Sequence, residues 1–427
     1  MKFALAAYGT RGDIEPSIAV GRELMRRGHD VKIGVPENLI GFAEAAGLSA
    51  VRYGPDVREF WDDDFLSTLM SRFFRRLWTI REPIRLVREA WEPVTAFWMD
   101  MSVELTALTE GADILFTGQI YQDLAVNVAE HYDIPLATLH YFPMRPHGRL
   151  FPMVPRRLAR SAMAANDWFI WRMNKKAEDA QRSALGLPKA TSSSPRRITE
   201  RGTLEIQAYE KVCFPGLAAE WAALSDRRPF VGALTLDLST DADDEVAAWI
   251  AAGPAPICFS FGSMPVNSPA ELIEILAAAC DELGERALIC SGWTDYGEID
   301  RLDQVKVVKA IRFRRILPAC RALVHHGGSG TLAAGLRAGL PMLIFWTAGD
   351  QPFWAAQLKR LKVGYGRRFS DLTYESLVGD LREILDPGYL GRARDLAAGT
   401  TTPDEALTTA TDLLEQFAMA SCRSEKG

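Results

Sequence analysis

Short apolar runs alternate along this chain with stretches in which apolar residues recur every three or four positions, a pattern that predicts strands and helices in strict succession. Lys2 to Tyr8 is the first run. Gly9 closes it, and Ile14, Ile18, Ala19, Leu24 and Met25 then mark one face of a helix that ends at Arg26-Arg27-Gly28, cations followed by glycine. Further strands are predicted at Val31 to Val35, Ile114 to Thr117, Leu136 to Tyr141 and Ile206 to Tyr209, with helical stretches such as Asp123 to His131 between them. After Pro229 the alternation restarts, with strands at Ile257 to Phe261, Ala287 to Cys290, Val305 to Val308, Leu323 to His325 and Met342 to Phe345, and a helix at Ala270 to Leu283. Continuously apolar strands joined through helices form parallel sheets covered on both faces. The expected class is therefore α/β with two Rossmann-like domains: residues 1–225, a linker over 226–238 where charge, Pro and Gly mix, residues 239–400, and a helical segment over 401–427 whose periodicity suits packing back on the first domain.

Two segments break this rhythm. One, between the second strand and Ala112, carries Trp61, Phe65, Phe73, Phe74, Trp78, Trp91, Phe97 and Trp98; the other, Arg145 to Lys176, combines Phe151, Trp168, Phe169 and Trp171 with many Arg and Lys. Two readings stand for both: helices packing into the core, or an apolar acceptor cleft or lipid-facing surface, with Arg72 to Trp78 and Arg156 to Lys176 supplying the charge for an anionic membrane. Composition bounds the rest. A chain of 427 residues, 48% hydrophobic and 24% charged, has material for two cores. Lys and Arg number 49 against 55 Asp and Glu, and a net charge of −6 argues against nucleic acid as a general partner. The first residues lack the apolar core of a signal peptide and no run approaches a membrane span, so the expected location is cytoplasmic. Six cysteines without a C-x-x-C pair read as reduced, buried thiols.

The strongest chemical signal is Leu323-Val324-His325-His326-Gly327-Gly328-Ser329-Gly330-Thr331, a strand entering a glycine-rich turn that opens a helix over Leu332 to Ala338. Small residues there let backbone N–H groups approach a diphosphate, while a hydroxyl and an imidazole add side-chain donors. Asp350-Gln351 follows the next strand, so both segments point to the carboxyl edge of one sheet, where open parallel sheets bind ligands. An acid and an amide suit sugar hydroxyls, although Asp350 is also placed to cap the helix Pro352 to Leu361. In the first half, Gly9-Thr10-Arg11-Gly12-Asp13 occupies the equivalent turn, and Asp13 reads as an N-cap, a general base, or both. A helix N-terminus lowers a carboxyl pKa, which predicts an ionised but weak base. G-x-G-x-x-G after the first strand, Walker A and G-x-S-x-G motifs are all absent. The D-x-D strings in Trp61 to Phe65 and Asp241 to Asp244 read as solvated acids rather than metal ligands.

At these residues the chain resembles the inverting nucleotide-sugar glycosyltransferases of family 1, whose GT-B fold sets two Rossmann-like domains across a cleft. The likeness is to the branch of sterol 3-β-glucosyltransferases, vancomycin-group and mycobacterial glycopeptidolipid glycosyltransferases. It is carried by GTRGDIEPSIAVGRELMRRGHDV, FSFGSM and HHGGSGTLAAGLRAGLPMLIFWTAGDQPFWA, in family order. The resemblance implies Asp13 as general base with Thr10 beside it. It implies Ser263, His326, Gly328, Ser329, Gly330 and Thr331 around the donor diphosphate, Asp350 and Gln351 on the hexose, and Arg312 and Phe313 at the nucleobase. The last two depart from the family's usual residues and leave uracil or thymine open.

The implied reaction is a metal-independent displacement from a UDP- or dTDP-sugar, a co-substrate and not a cofactor, onto a hydroxyl of a hydrophobic acceptor such as a glycolipid, glycopeptidolipid or sterol. Rival readings are an acceptor of polyketide or antibiotic type, a nucleotide-sugar epimerase, and a non-catalytic binding module that would have no use for Asp13.

Overall fold

The structure, a computed structural model, describes residues 1–57, 91–92, 94–151, 153–262, 268–292 and 304–424. These contain two compact units, one formed by residues 1–208, 216–231 and 404–427, the other by 209–215 and 232–403. Each is built on a six-stranded sheet whose strands are all parallel.

In the first unit the strands are β1 Lys2–Ala6, β2 Asp30–Val35, β3 Ser49–Arg52, β4 Ile114–Thr117, β5 Leu136–His140 and β6 Leu204–Gln207, in the order β3-β2-β1-β4-β5-β6. Phe3 pairs with Val31 and with Ile114, and the central strands are buried on both faces. In the second unit β7 Ile257–Ser260, β8 Ala287–Cys290, β9 Val305–Val308, β10 Ala322–His325, β11 Met342–Trp346 and β12 Gly364–Arg368 run in the order β12-β11-β10-β7-β8-β9. Both orders have the doubly wound form, and strand order reverses between β1 and β4 and between β7 and β10. At such a reversal the helices leave on opposite faces and open a crevice beyond the carboxyl ends of the strands.

Edge strands β3 and β12 have no apolar run. Ser49–Arg52 is largely exposed and Gly364–Arg368 reads Gly-Tyr-Gly-Arg-Arg. β6 lies two residues before its predicted position because Glu205 and Gln207 interrupt the apolar run, yet both are fully buried. Glu205 accepts from the Arg145 guanidinium and, at 3.1 and 3.0 Å, from Arg228. Arg145 also donates to Gln122 Oε1 at 2.8 Å. Burial pushes the Glu205 carboxyl up, but Arg145 and Arg228 outweigh it and hold the pKa at about 2. His140, 3.7 Å away, is driven to about 3 by burial and by the same arginines, so the buried carboxylate is paired by guanidinium and not by imidazole.

The aromatic segments divide. Trp98 is buried with its indole N–H on Gln181 Oε1 at 3.1 Å, and Trp171 is buried on Glu178 Oε2 at 2.8 Å. The helix Arg156–Ala184 instead exposes Leu158, Trp168 (57%) and Phe169 along its first half, next to Phe151 and Met153 (95%). Trp61, Phe65, Phe73, Phe74, Trp78 and the basic stretch Arg72 to Trp78 lie outside the described residues. The helix Pro403–Ser424 belongs to the first unit, where Arg27 donates to Asp412 and Glu415 at 2.6 Å each. Cys213, Cys258, Cys280, Cys290 and Cys320 are buried free thiols.

Candidate active site

Beyond β1, at the reversal in strand order, the chain turns through Gly9 into the helix Arg11–Arg26. Thr10 is the extended N-cap residue, so the capping position expected for Asp13 belongs to its neighbour; Asp13 is the third helical residue, the acid of a capping box. Its Oδ2 accepts the Thr10 backbone N–H at 2.6 Å and the Thr10 hydroxyl at 2.9 Å. Its Oδ1 accepts the Tyr141 phenol at 2.5 Å. Gly9 has φ +130°, and a methyl group there would fall 2.4 Å from Asp13 Oδ2, so glycine is required both for the turn and for the space the carboxylate occupies. The helix end alone predicts a lowered Asp13 pKa, but burial outweighs the hydrogen bonds from Tyr141 and Thr10 and raises it above its ordinary value. A carboxylate so placed is more basic than the sequence suggested.

Tyr141 is a site residue that sequence reasoning missed. It closes a predicted strand and therefore had to emerge at the same sheet edge as Asp13, but nothing local pairs residues so far apart. Gln119, in the turn after β4, fixes it by accepting the N–H groups of Tyr141 and Phe142 at 3.0 and 3.1 Å.

In the second unit four turns converge beyond the strands. A methyl at Gly262, after β7, would lie 2.8 Å from His326 Cε1; one at Gly328 would lie 2.6 Å from His326 Nε2; one at Gly327 would lie 3.0 Å from Gln351 Cβ. Gly292, after β8, abuts the Gly262 carbonyl. Glycine at each position is what lets His326 and Gln351 reach one crevice. Gly328 caps the helix Ser329–Ala338, whose first N–H groups, on Ser329, Gly330 and Thr331, have no partner within the helix. A concentration of open N–H donors beside an imidazole suits an anion. Burial holds the His326 pKa at about 4 against a hydrogen bond to the Ser260 backbone, so near neutrality the ring is uncharged and not a cation. His325 is wholly buried at the end of β10, its Nδ1 accepting the Gly327 N–H at 3.2 Å.

Asp350 is the N-cap residue of the helix Gln351–Leu361, but its side chain reaches the Trp354 indole N–H, 2.8 Å from Oδ2, and makes no capping bond. Gln351 Oε1 accepts from the N–H of Thr347 at 2.8 Å and from the Thr347 hydroxyl at 3.2 Å, which turns its amide oxygen into the loop. Arg312 commits its guanidinium to Asp237 through two hydrogen bonds of 2.5 Å, and Phe313 opens the short helix Phe313–Ile316, packed against the helix Ser329–Ala338. Asp243 is not a solvated acid: it is 2% exposed and binds the Thr240 hydroxyl and the N–H groups of Thr240 and Arg312, each at 2.8 Å. Ser263 and the acidic string in Trp61 to Phe65 lie outside the described residues.

Residues 3–105 match the family model for the glycosyltransferase family 28 N-terminal domain, and residues 296–413 that for the C-terminal domain of erythromycin biosynthesis protein CIII-like proteins. A Mycobacterium tuberculosis protein described as an uncharacterized glycosyltransferase is 57% identical over 98% of this chain and 99% of its own length. Among solved structures, the kitacinnamycin glycotransferase is similar with a TM-score of 0.69 at 18% identity, covering 97% of this chain and 98% of its own. Glycosyltransferase VinC in complex with dTDP is similar with a TM-score of 0.65 at 17% identity, covering 98% and 100%.

Proposed function

This chain belongs to the glycosyltransferase family of that mycobacterial relative, with a GT-B fold, and on that premise we propose that it moves a hexose or deoxyhexose from a UDP- or dTDP-sugar to a hydroxyl of a hydrophobic acceptor, with inversion. We place it in family 1, near the sterol and glycopeptidolipid branch. The observation that carries the reading is the crevice beyond β7 and β10, where open N–H groups of Ser329 to Thr331 and an uncharged His326 stand together at a strand-order reversal. This is a site for a diphosphate, and VinC was solved with dTDP. Ser263 belongs to the same proposed donor site. Gln351 and Asp350 follow the adjacent strand and are assigned to sugar hydroxyls; Arg312 and Phe313 are assigned to the nucleobase, with the Arg312 side chain tied back to Asp237.

In the proposed step Asp13 takes the proton of the acceptor hydroxyl as that oxygen bonds to the anomeric carbon. The bond from that carbon to the diphosphate breaks, and nucleoside diphosphate leaves with the electron pair. The helix N-terminus stabilises the departing charge without reorganising. A panel of UDP- and dTDP-sugars incubated with a lipid extract tests the reading: mass spectrometry should show one hexose or deoxyhexose mass on an apolar acceptor. Release of an epimerised sugar with no acceptor product would overturn it.

The acceptor class rests on the exposed Leu158, Trp168 and Phe169 of the helix Arg156–Ala184, flanked by exposed Arg157 and Arg172. Among the described residues no helix is long and apolar enough to cross a membrane, but an apolar face edged by cations suits the surface of an anionic one. Co-sedimentation with vesicles containing anionic lipid should therefore be strong at low salt and fall as salt rises. It should weaken further in Trp168→Ala/Arg172→Ala. No binding at low salt would remove the membrane from this reading.

A further inference from the structure

We infer that Tyr141 is a positioning residue for the transfer and that its hydrogen bond selects Oδ1 of Asp13 as the atom that receives the acceptor proton. The inference rests on the reading of Asp13 as the base and names the geometry within it. An ionised carboxylate offers about four lone-pair directions, two on each oxygen. Both on Oδ2 are taken, by the backbone N–H and the hydroxyl of Thr10. On Oδ1 the Tyr141 phenol takes one. The remaining direction, on Oδ1, is where an incoming hydroxyl can place its proton.

The three donors also fix the carboxylate in rotation. Thr10 moves with the helix that carries Asp13, whereas Tyr141 reaches it from the end of β5, three strands across the sheet from β2 and two from β1. Its backbone is anchored by Gln119, so the phenol is a fixed reference against which the base is held. Other charged groups nearby are engaged elsewhere. Arg11 lies over the Phe42 ring at 4.5 Å and pairs with Glu15, and His140, adjacent in sequence, faces Thr138 at 3.1 Å and stays uncharged. Among the described residues, Tyr141 and Thr10 are therefore the groups set to tune this carboxyl.

A phenol that donates to the carboxylate favours its charged form, so removing the phenol must raise the pH at which the base becomes ionised. Tyr141→Phe keeps the ring and deletes only the donor. The acid limb of the kcat/KM profile should move to higher pH by about one unit, the scale of one charge-assisted hydrogen bond. kcat at neutral pH should fall about tenfold with donor KM unchanged. Replacing Tyr141 by 3-fluorotyrosine, a more acidic phenol and a stronger donor, should move the same limb to lower pH, which a role in packing alone would not do. Should Tyr141→Phe fail to fold, the fluorinated protein still decides the matter. An acid limb that stays in place in both proteins while Asp13→Asn is inactive would overturn the role of Tyr141 and leave the base intact. Full activity of Asp13→Asn would instead overturn the base itself.

Discussion

Replacing Asp13 by Asn is expected to lower transfer about 10³-fold, within the range that a positioned general base contributes. Asn is nearly the same shape. Its amide oxygen can keep the Thr10 N–H, now 2.6 Å from Oδ2, and its NH₂ can donate to the Tyr141 oxygen in place of accepting from it, so the turn should hold. What disappears is a proton acceptor, at the one carboxyl in this turn whose pKa burial has raised. The proposed diphosphate crevice belongs to the other compact unit and shares no residue with this turn. Titration calorimetry of dTDP or UDP should therefore give wild-type affinity while product formation is lost. Turnover near the wild-type rate would assign the base elsewhere.

The largest expected effect on stability is at Glu205. It is 1% exposed and stands between Arg145 and Arg228, so Glu205→Ala leaves two guanidiniums buried without their carboxylate. Breaking a buried pair from one side costs about 3–5 kcal/mol, far more than the pair is worth when replaced whole. The pH dependence carries a sign that can be checked. A carboxyl whose pKa is lowered on folding, here from 4.5 to about 2, adds stability that is fully present above the higher value and is lost as pH falls through the lower. Wild type should thus lose this contribution between about pH 4.5 and pH 2, a window in which the variant, having none to lose, gives a flatter curve of urea midpoint against pH. Equal midpoints for the two proteins at pH 7 would mean that the arginines find water instead.

Glu205 also shows why part of the fold was hidden. Strands that are apolar or nearly so, such as Ile114–Thr117 and Ala287–Cys290, announce themselves, because burial on both faces favours apolar residues. Leu204–Gln207 is buried just as deeply, but its charge is satisfied by arginines from distant turns, and pattern alone places the strand two residues late. Edge strands β3 and β12 are half-exposed and carry no run to detect. The site divides along the same line. The placing of Gly9, Asp13 and His326 to Thr331 in turns between a strand and a helix was legible because an apolar run, a glycine-rich stretch and a helical period follow one another in sequence. Tyr141 was not, since its partner is 128 residues away, and neither was the buried role of Asp243, which in sequence is one acid of a polar string. The raised pKa of Asp13 is a balance between burial and donors that only packing sets.

The passage of the chain between its two compact units has a practical consequence. Residues 404–427 complete the unit begun at residue 1, and Arg27 of the first helix grips Asp412 and Glu415 on the returning one. During synthesis, then, the unit that is started first is finished last, after the whole of 232–403 has left the ribosome. Anyone recombining this chain with a relative to exchange one unit has to treat the two ends as one cassette. A single crossover in the middle separates Arg27 from its own helix, whereas two, near residues 232 and 403, exchange the main stretch of the second unit as an insert and leave residues 209–215 with the host.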